Sequence, residues 1–186
     1  FEGRLAVHFS RAVVMGITGN WAFAAGTVLQ ALRRHNPDLN ADIIVFCDAS
    51  LPVEDARILQ DMGAQLVPFA PIAAELTEEA LSVFSPLSLA KFHCFDLLNH
   101  YKSVVWLDSG ILVQDSLEEL FGCGPLGLAL EDPEFSDPPG PKPAQINLHG
   151  TVQDFDSGAD NLNSGVIVFR NDLPAPAALR QMCLHF

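Results

Sequence analysis

The sequence predicts an α/β fold: a mostly parallel mixed sheet flanked by helices, in a single domain. Three observations predict it. Six short apolar runs alternate along the chain with stretches of helical spacing or with loops. The runs are apolar at consecutive positions, as in strands buried on both faces, not at alternate ones. The 186 residues are the size of one domain and suffice to bury a sizeable core.

The first strand is expected over "RAVVMGI", residues 11 to 17. A helix follows in "TGNWAFAAGTVLQALRRHNP", where Trp21, Ala25, Val28 and Leu32 recur on one side. Asn20 can cap it, and Arg33, Arg34 and His35 suit its negative C-terminal end. "ADIIVFCD" (41–48) is a second strand running into an aspartate. "LPVEDARILQDMG" is a helix with Pro52 near its start and Gly63 past its end. "AQLVPF" (64–69) is a third strand.

"FSPLSLAKFHCFDLLNHY" predicts a helix with Ser85 as cap and Pro86 at its first position. Strand "SVVWL" (103–107) comes next, then a short helix in which Ser116 and Glu119 have capping-box spacing. "LGLAL" (126–130) and "SGVIVFR" (164–170) complete the strands. Between these last two, residues 131–163 form a long acidic stretch with five prolines, seven carboxylates and one lysine, Lys142. A loop of this length is a lid or binding loop, or is disordered.

Composition excludes several classes. A net charge of −13 argues against a nucleic-acid partner, whose phosphates need basic surfaces. No apolar run reaches the roughly 18 residues of a membrane helix. Cys47, Cys94, Cys123 and Cys183 show no C-x-x-C spacing and read as reduced, buried thiols. A cytoplasmic location is therefore expected. The six histidines have no zinc-ligand spacing. The start lacks an initiator Met and the end stops within an amphipathic pattern, so the chain reads as a fragment.

In open α/β sheets, ligands gather outside the C-terminal ends of the strands. Three places qualify: Thr18 to Trp21, Asp48, and Asp108 to Gly110. "LDSG" is either a ligand-facing carboxylate or an ordinary Asp-Ser-Gly turn. "NLNSGVIVF" is either a site element or a strand entry at which Asn163 caps a turn.

Four segments in order resemble the nucleotide-sugar-binding part of a GT-A-fold glycosyltransferase (a Rossmann-like fold), most like family 8. "VVMGITGNWAFAAGTVLQALRRHNP" is similar to that family's first strand, its D-D-N-Y-type turn and its first helix. Asn20 and Trp21 match the Asn-Tyr pair, while Thr18 stands where an aspartate often meets uracil. In "FSPLSLAKFHCFDLLNHYKSVVWLD", Lys91 takes the place of an arginine near the donor sugar and phosphates. "VVWLDSGILVQDSLEELF" resembles "VLYLDADILVLGDLSELF", but Gly110 replaces the second aspartate of D-x-D. "LNSGVIVFRND" resembles "FN[AS]GVLLINL" through Asn163, Ser164 and Gly165. The family's later Asp-Gln and His-Gly-Lys-Pro-Trp motifs do not occur.

The resemblance implies one GT-A-like domain over residues 1–186 that binds a nucleotide-diphosphate sugar, UDP-linked, and transfers a hexose with retention. The acceptor is a glycan, a lipid-linked group or a protein. It also implies Mn²⁺ or Mg²⁺, because the leaving diphosphate carries two to three negative charges. Thr18, Asn20 and Trp21 would line the nucleoside pocket, Lys91 and Asn163 would approach the sugar, and Asp108 would meet ribose and metal. Two readings remain open: retained catalysis, or a non-catalytic binding or scaffold domain derived from such an enzyme.

Overall fold

The structure is a computed structural model that describes residues 5–69, 86–130 and 162–185. Strands β1 (Arg11–Ile17), β2 (Asp42–Cys47), β3 (Ala64–Pro68), β4 (Ser103–Leu107), β5 (Leu126–Leu130) and β6 (Leu162–Arg170) form one sheet. Their order is β3-β2-β1-β4-β6-β5. β3, β2, β1 and β4 are parallel neighbours, whereas β6 pairs antiparallel with both β4 and β5. The expected mixed, mostly parallel sheet is thus present, and "SGVIVFR" starts two residues earlier than its sequence suggests.

The sheet has two packed faces. On one, Val13, Met15 and Ile17 of β1 meet Ala25, Val28, Leu29 and Leu32 of helix α1 (Ala22–His35). Burying each large aliphatic side chain contributes about 1.5–3 kcal/mol, so packing outweighs helix propensity here. On the other face, Val14, Phe46 and Trp106 lie under Ala90, Cys94, Phe95 and Leu97. The first face is covered by a regular helix and the second by an irregular segment.

That segment corrects one expectation. "PLSLAKFH" is a 3-10 helix (Pro86–His93), followed by a single α turn, α3 (Cys94–Leu97). With three residues per turn, positions i and i+3 stack on one side. Ser88 and Lys91 therefore reach the same cavity. The predicted cap, Ser85, lies outside the described residues, as does the acidic stretch from 131 to 161.

Asn20 does not cap α1. It sits inside a 3-10 turn (Gly19–Trp21) closed by Trp21 N–H to the Thr18 carbonyl at 2.9 Å, so Trp21 becomes the N-cap position. Helix α2 (Val53–Asp61) ends as predicted: Gly63 adopts φ +80°, and its N–H bonds the Gln60 carbonyl at 2.8 Å. The capping box at Ser116 is shifted. Its hydroxyl accepts from Glu118 N–H at 3.2 Å, while Leu117 holds the N-cap of α4 (Glu118–Phe121). The final pattern is helical, α5 (Pro176–His185).

Buried Asn36 pins the chain beyond β4. Its amide donates to the Asp115 carbonyl at 3.1 Å and accepts from Leu117 N–H at 2.7 Å. Of the four free cysteines, Cys47 and Cys94 are buried as expected; Cys123 is half-buried and Cys183 exposed.

Candidate functional site

β4 carries Trp106 and, two residues on, Asp108 toward the same side, as strand alternation requires. A cavity of about 370 Å³ opens there at the C-terminal ends of β1 and β4. Gly16, Trp21, Leu87, Ser88, Lys91, Trp106, Asp108, Ser109 and Gly110 line it. Gly16 permits this packing: a Cβ there would lie 3.0 Å from the Trp106 ring and 3.4 Å from Leu87.

Asp108 opens a turn in which Ile111 N–H bonds the Asp108 carbonyl at 3.1 Å. "LDSG" is therefore the turn its sequence allowed, and its Asp108 also lines the cavity. The Asp108 carboxylate accepts from Trp106 Nε1–H at 2.6 Å and faces Lys91 Nζ at 3.5 Å. Lys91 is held more closely by β6, donating to the Ser164 carbonyl and hydroxyl, each at 3.1 Å. Its ammonium also lies 5.7 Å from the Trp106 ring centroid, within cation-π range. The lysine side chain is only 12% exposed and that of Asp108 46%, so the anion is the more open of the pair.

Of the six residues expected at the site, Trp21, Lys91 and Asp108 line the cavity together. Thr18 and Asn20 belong to the adjoining 3-10 turn but not to that lining. Asn163 is exposed and bonds along its own strand, where its Oδ1 accepts from Gly165 N–H at 2.7 Å. That is the strand-entry role its sequence context allowed. Gly165 leaves room beside the site, since a Cβ on it would come 2.8 Å from Asn163 Oδ1 and 3.5 Å from Asp108 Oδ2.

Sequence reasoning missed Trp106 and Ser164 as site residues. A tryptophan inside an apolar strand reads as core, yet its position two before Asp108 puts both on one side. Nothing in the sequence signals the Ser164–Lys91 pairing across 73 residues.

Asp48, the third inspected position, is used locally. Its carboxylate accepts from Ser50 N–H at 2.9 Å and from the Ser50 hydroxyl. The Ser50 oxygen in turn accepts from Gly19 N–H at 2.9 Å, fixing the turn that carries Trp21. Trp21 is 48% exposed and stacks on Phe23 at 5.8 Å between ring centroids. Beneath the Lys91 segment, burial pushes the Cys94 thiol well up in pKa, an effect only partly offset by the Lys91 charge.

A divalent cation finds few ligands here. Among the described residues no group of three His, Cys, Asp or Glu side chains could hold a metal. At the β4 turn Asp108 is the single carboxylate, and its Oδ1 already accepts from Trp106 and faces an ammonium. Hard cations take six or more oxygen ligands, often from several carboxylates. The described residues do not fit such an ion. The carboxylates of the acidic stretch that follows β5 lie outside them.

Comparison with known proteins adds to this geometry. The family model described as glycosyl transferase family 8 matches residues 12–186. No curated protein matches the chain. Among solved structures, the galactosyltransferase LgtC in complex with donor and acceptor sugar analogues is similar at 17% identity and TM-score 0.61, over 86% of this chain and 58% of that one. The bifunctional glycosyltransferase WbbM is similar at 18% identity and TM-score 0.66, over 99% of this chain and 36% of its own. GlyE of Streptococcus pneumoniae shows 20% identity and TM-score 0.54, over 93% and 37%. The chain thus spans a little over half of LgtC and about a third of the other two. At these identities the solved structures speak for the fold, which is GT-A-like.

Proposed function

Because the chain belongs to glycosyl transferase family 8, we propose that it binds a UDP-linked hexose in the Trp106–Asp108 cavity and transfers the sugar to an acceptor hydroxyl with retention. The observation that carries this reading is the junction of Lys91, Asp108 and Trp21 around one cavity at the C-terminal ends of parallel strands. Trp21 offers an aromatic wall to the base beside Thr18 and Asn20. Asp108 accepts from ribose hydroxyls. Lys91 meets the diphosphate and Asn163 borders the sugar.

In the reaction, the anomeric carbon–oxygen bond to the diphosphate breaks and the electron pair leaves with the diphosphate. The acceptor hydroxyl oxygen bonds the same carbon, and its proton passes to the departing phosphate oxygen. This chain's residues bind, orient and balance charge; none is assigned as nucleophile. The free, buried Cys47 and Cys94 favour a cytoplasmic setting. No helix among the described residues is long and apolar enough to cross a membrane.

One observation favours a second reading, donor binding without transfer: Gly110 leaves the turn with a single carboxylate. Incubation with UDP-hexoses, with and without Mn²⁺, separates the two. Release or transfer of sugar on chromatography supports the transferase, and saturable binding with intact donor supports the binding domain. Absence of both binding and turnover with every UDP-hexose would falsify the two together.

A further inference from the structure

We infer that the resident cation of this site is the Lys91 ammonium, and that the cavity binds a nucleoside diphosphate without a divalent ion at the β4 turn. This rests on the donor-site reading above and goes beyond it by naming what balances the diphosphate charge. Three features of the turn lead to it.

First, the position a metal would take is already served. Lys91 Nζ lies 3.5 Å from Asp108 Oδ1 and 3.1 Å from both oxygens of Ser164. Of the ammonium's three N–H donors, two hydrogen-bond Ser164, and Asp108 pairs with the charge at ion-pair distance. A divalent ion would sit about 2.0–2.6 Å from the carboxylate oxygen, against a like charge.

Second, the grip on Lys91 is uneven in a useful way. The two Ser164 contacts are short and fix the ammonium, while the contact to Asp108 is the longest. A diphosphate oxygen entering the cavity can take the Asp108 place on nitrogen. Asp108 does not then lose all its partners, because Trp106 Nε1–H still holds it at 2.6 Å. Trp106 is therefore a positioning residue: its N–H fixes the carboxylate and its ring carries the ammonium.

Third, the backbone does not demand the missing carboxylate's replacement. Gly63 is the glycine with positive φ among the described residues, and a Cβ built on Gly110 meets nothing within 4 Å. An aspartate would fit at 110. The turn has one carboxylate for one ammonium, a charge balance that a second carboxylate would upset.

Calorimetric titration of the protein with UDP, GDP and ADP, in EDTA and in Mn²⁺, tests this. The expected result is binding of at least one of them with the same Kd in both buffers. Lys91→Met should weaken binding in EDTA by at least about tenfold, and Lys91→Arg should restore most of it. Gly110→Asp should make the Kd fall on adding Mn²⁺, a dependence the parent lacks. Circular dichroism melts confirm that each variant is folded; should Lys91→Met not fold, the buffer comparison on the parent and Gly110→Asp decides. Binding that needs Mn²⁺ in the parent overturns the inference and leaves the donor site standing. No binding of any of the three nucleotides in either buffer overturns the donor-site reading itself, and this inference with it.

Discussion

β2 and β4 flank β1 on opposite sides, run parallel to it, and each runs into an aspartate. The two carboxylates nevertheless do different work. Asp48 engages Ser50, two residues away, through its Oδ1 and so braces the turn at Gly19. Asp108 accepts one local bond, from Trp106, and otherwise faces a lysine delivered by the 3-10 helix and anchored on β6. A strand-end carboxylate becomes part of a site when distant elements bring a countercharge and a cavity to it. Without them it is a turn.

The sharpest way to break the Asp48 side of this comparison is Gly19→Ala. The new Cβ would sit 2.3 Å from the backbone carbonyl oxygen of Ser50, which cannot rotate away. Overpacking of this kind costs about 1–3 kcal/mol, read as a lower urea midpoint. Pocket binding should weaken as well, because Trp21 rides on the same turn.

Exchanging the two aspartates for neutral residues should separate their roles. Asp108→Asn keeps an acceptor for Trp106 but gives up the charged acceptor that the ribose hydroxyls would take. Nucleotide affinity should drop at least about tenfold while stability changes by less than about 1 kcal/mol. Asp48→Ala should cost about 1 kcal/mol of stability and weaken binding less than Asp108→Asn does. Equal effects of both on binding would erase the distinction between them.

A third aspartate extends the comparison to the opposite end of β2. Asp42 is buried and accepts from His8 N–H, Phe9 N–H and the Tyr101 hydroxyl at 2.9, 3.3 and 3.0 Å. Burial first, and the neighbouring Asp42 charge second, push the Tyr101 phenol well above its ordinary 10.0. The folded pKa is raised, so this contribution to stability is complete below pH about 10 and drains away as pH climbs beyond it. Tyr101 is the chain's one tyrosine, so phenolate absorbance reports it alone. The native protein should show no phenolate at a pH where the urea-unfolded chain is ionised.

Much of the fold was legible because its strands are apolar throughout and bounded by punctuating residues. "RAVVMGI", "SVVWL" and "LGLAL" form strands over those same residues. The 86–93 segment was not legible as a 3-10 helix, since over two turns the 3.0 and 3.6 periods place Leu89 and Phe92 on nearly the same side. At the candidate site, Asp108 and Trp21 stood out by their place after apolar strands, and Lys91 through the family resemblance alone. The Lys91–Ser164 clasp and the double duty of Trp106 arise only when distant segments close on each other.

The chain has two tryptophans, Trp21 and Trp106, and both line the cavity. Emission excited selectively at tryptophan, beyond the absorption of Tyr101, therefore reports on the residues lining this cavity. Titration with UDP-hexoses should give a saturable change in emission that Asp108→Asn shifts to higher concentration and Asp48→Asn leaves closer to the parent. Emission that stays flat with every UDP-hexose and with free UDP would contradict a donor site at Asp108.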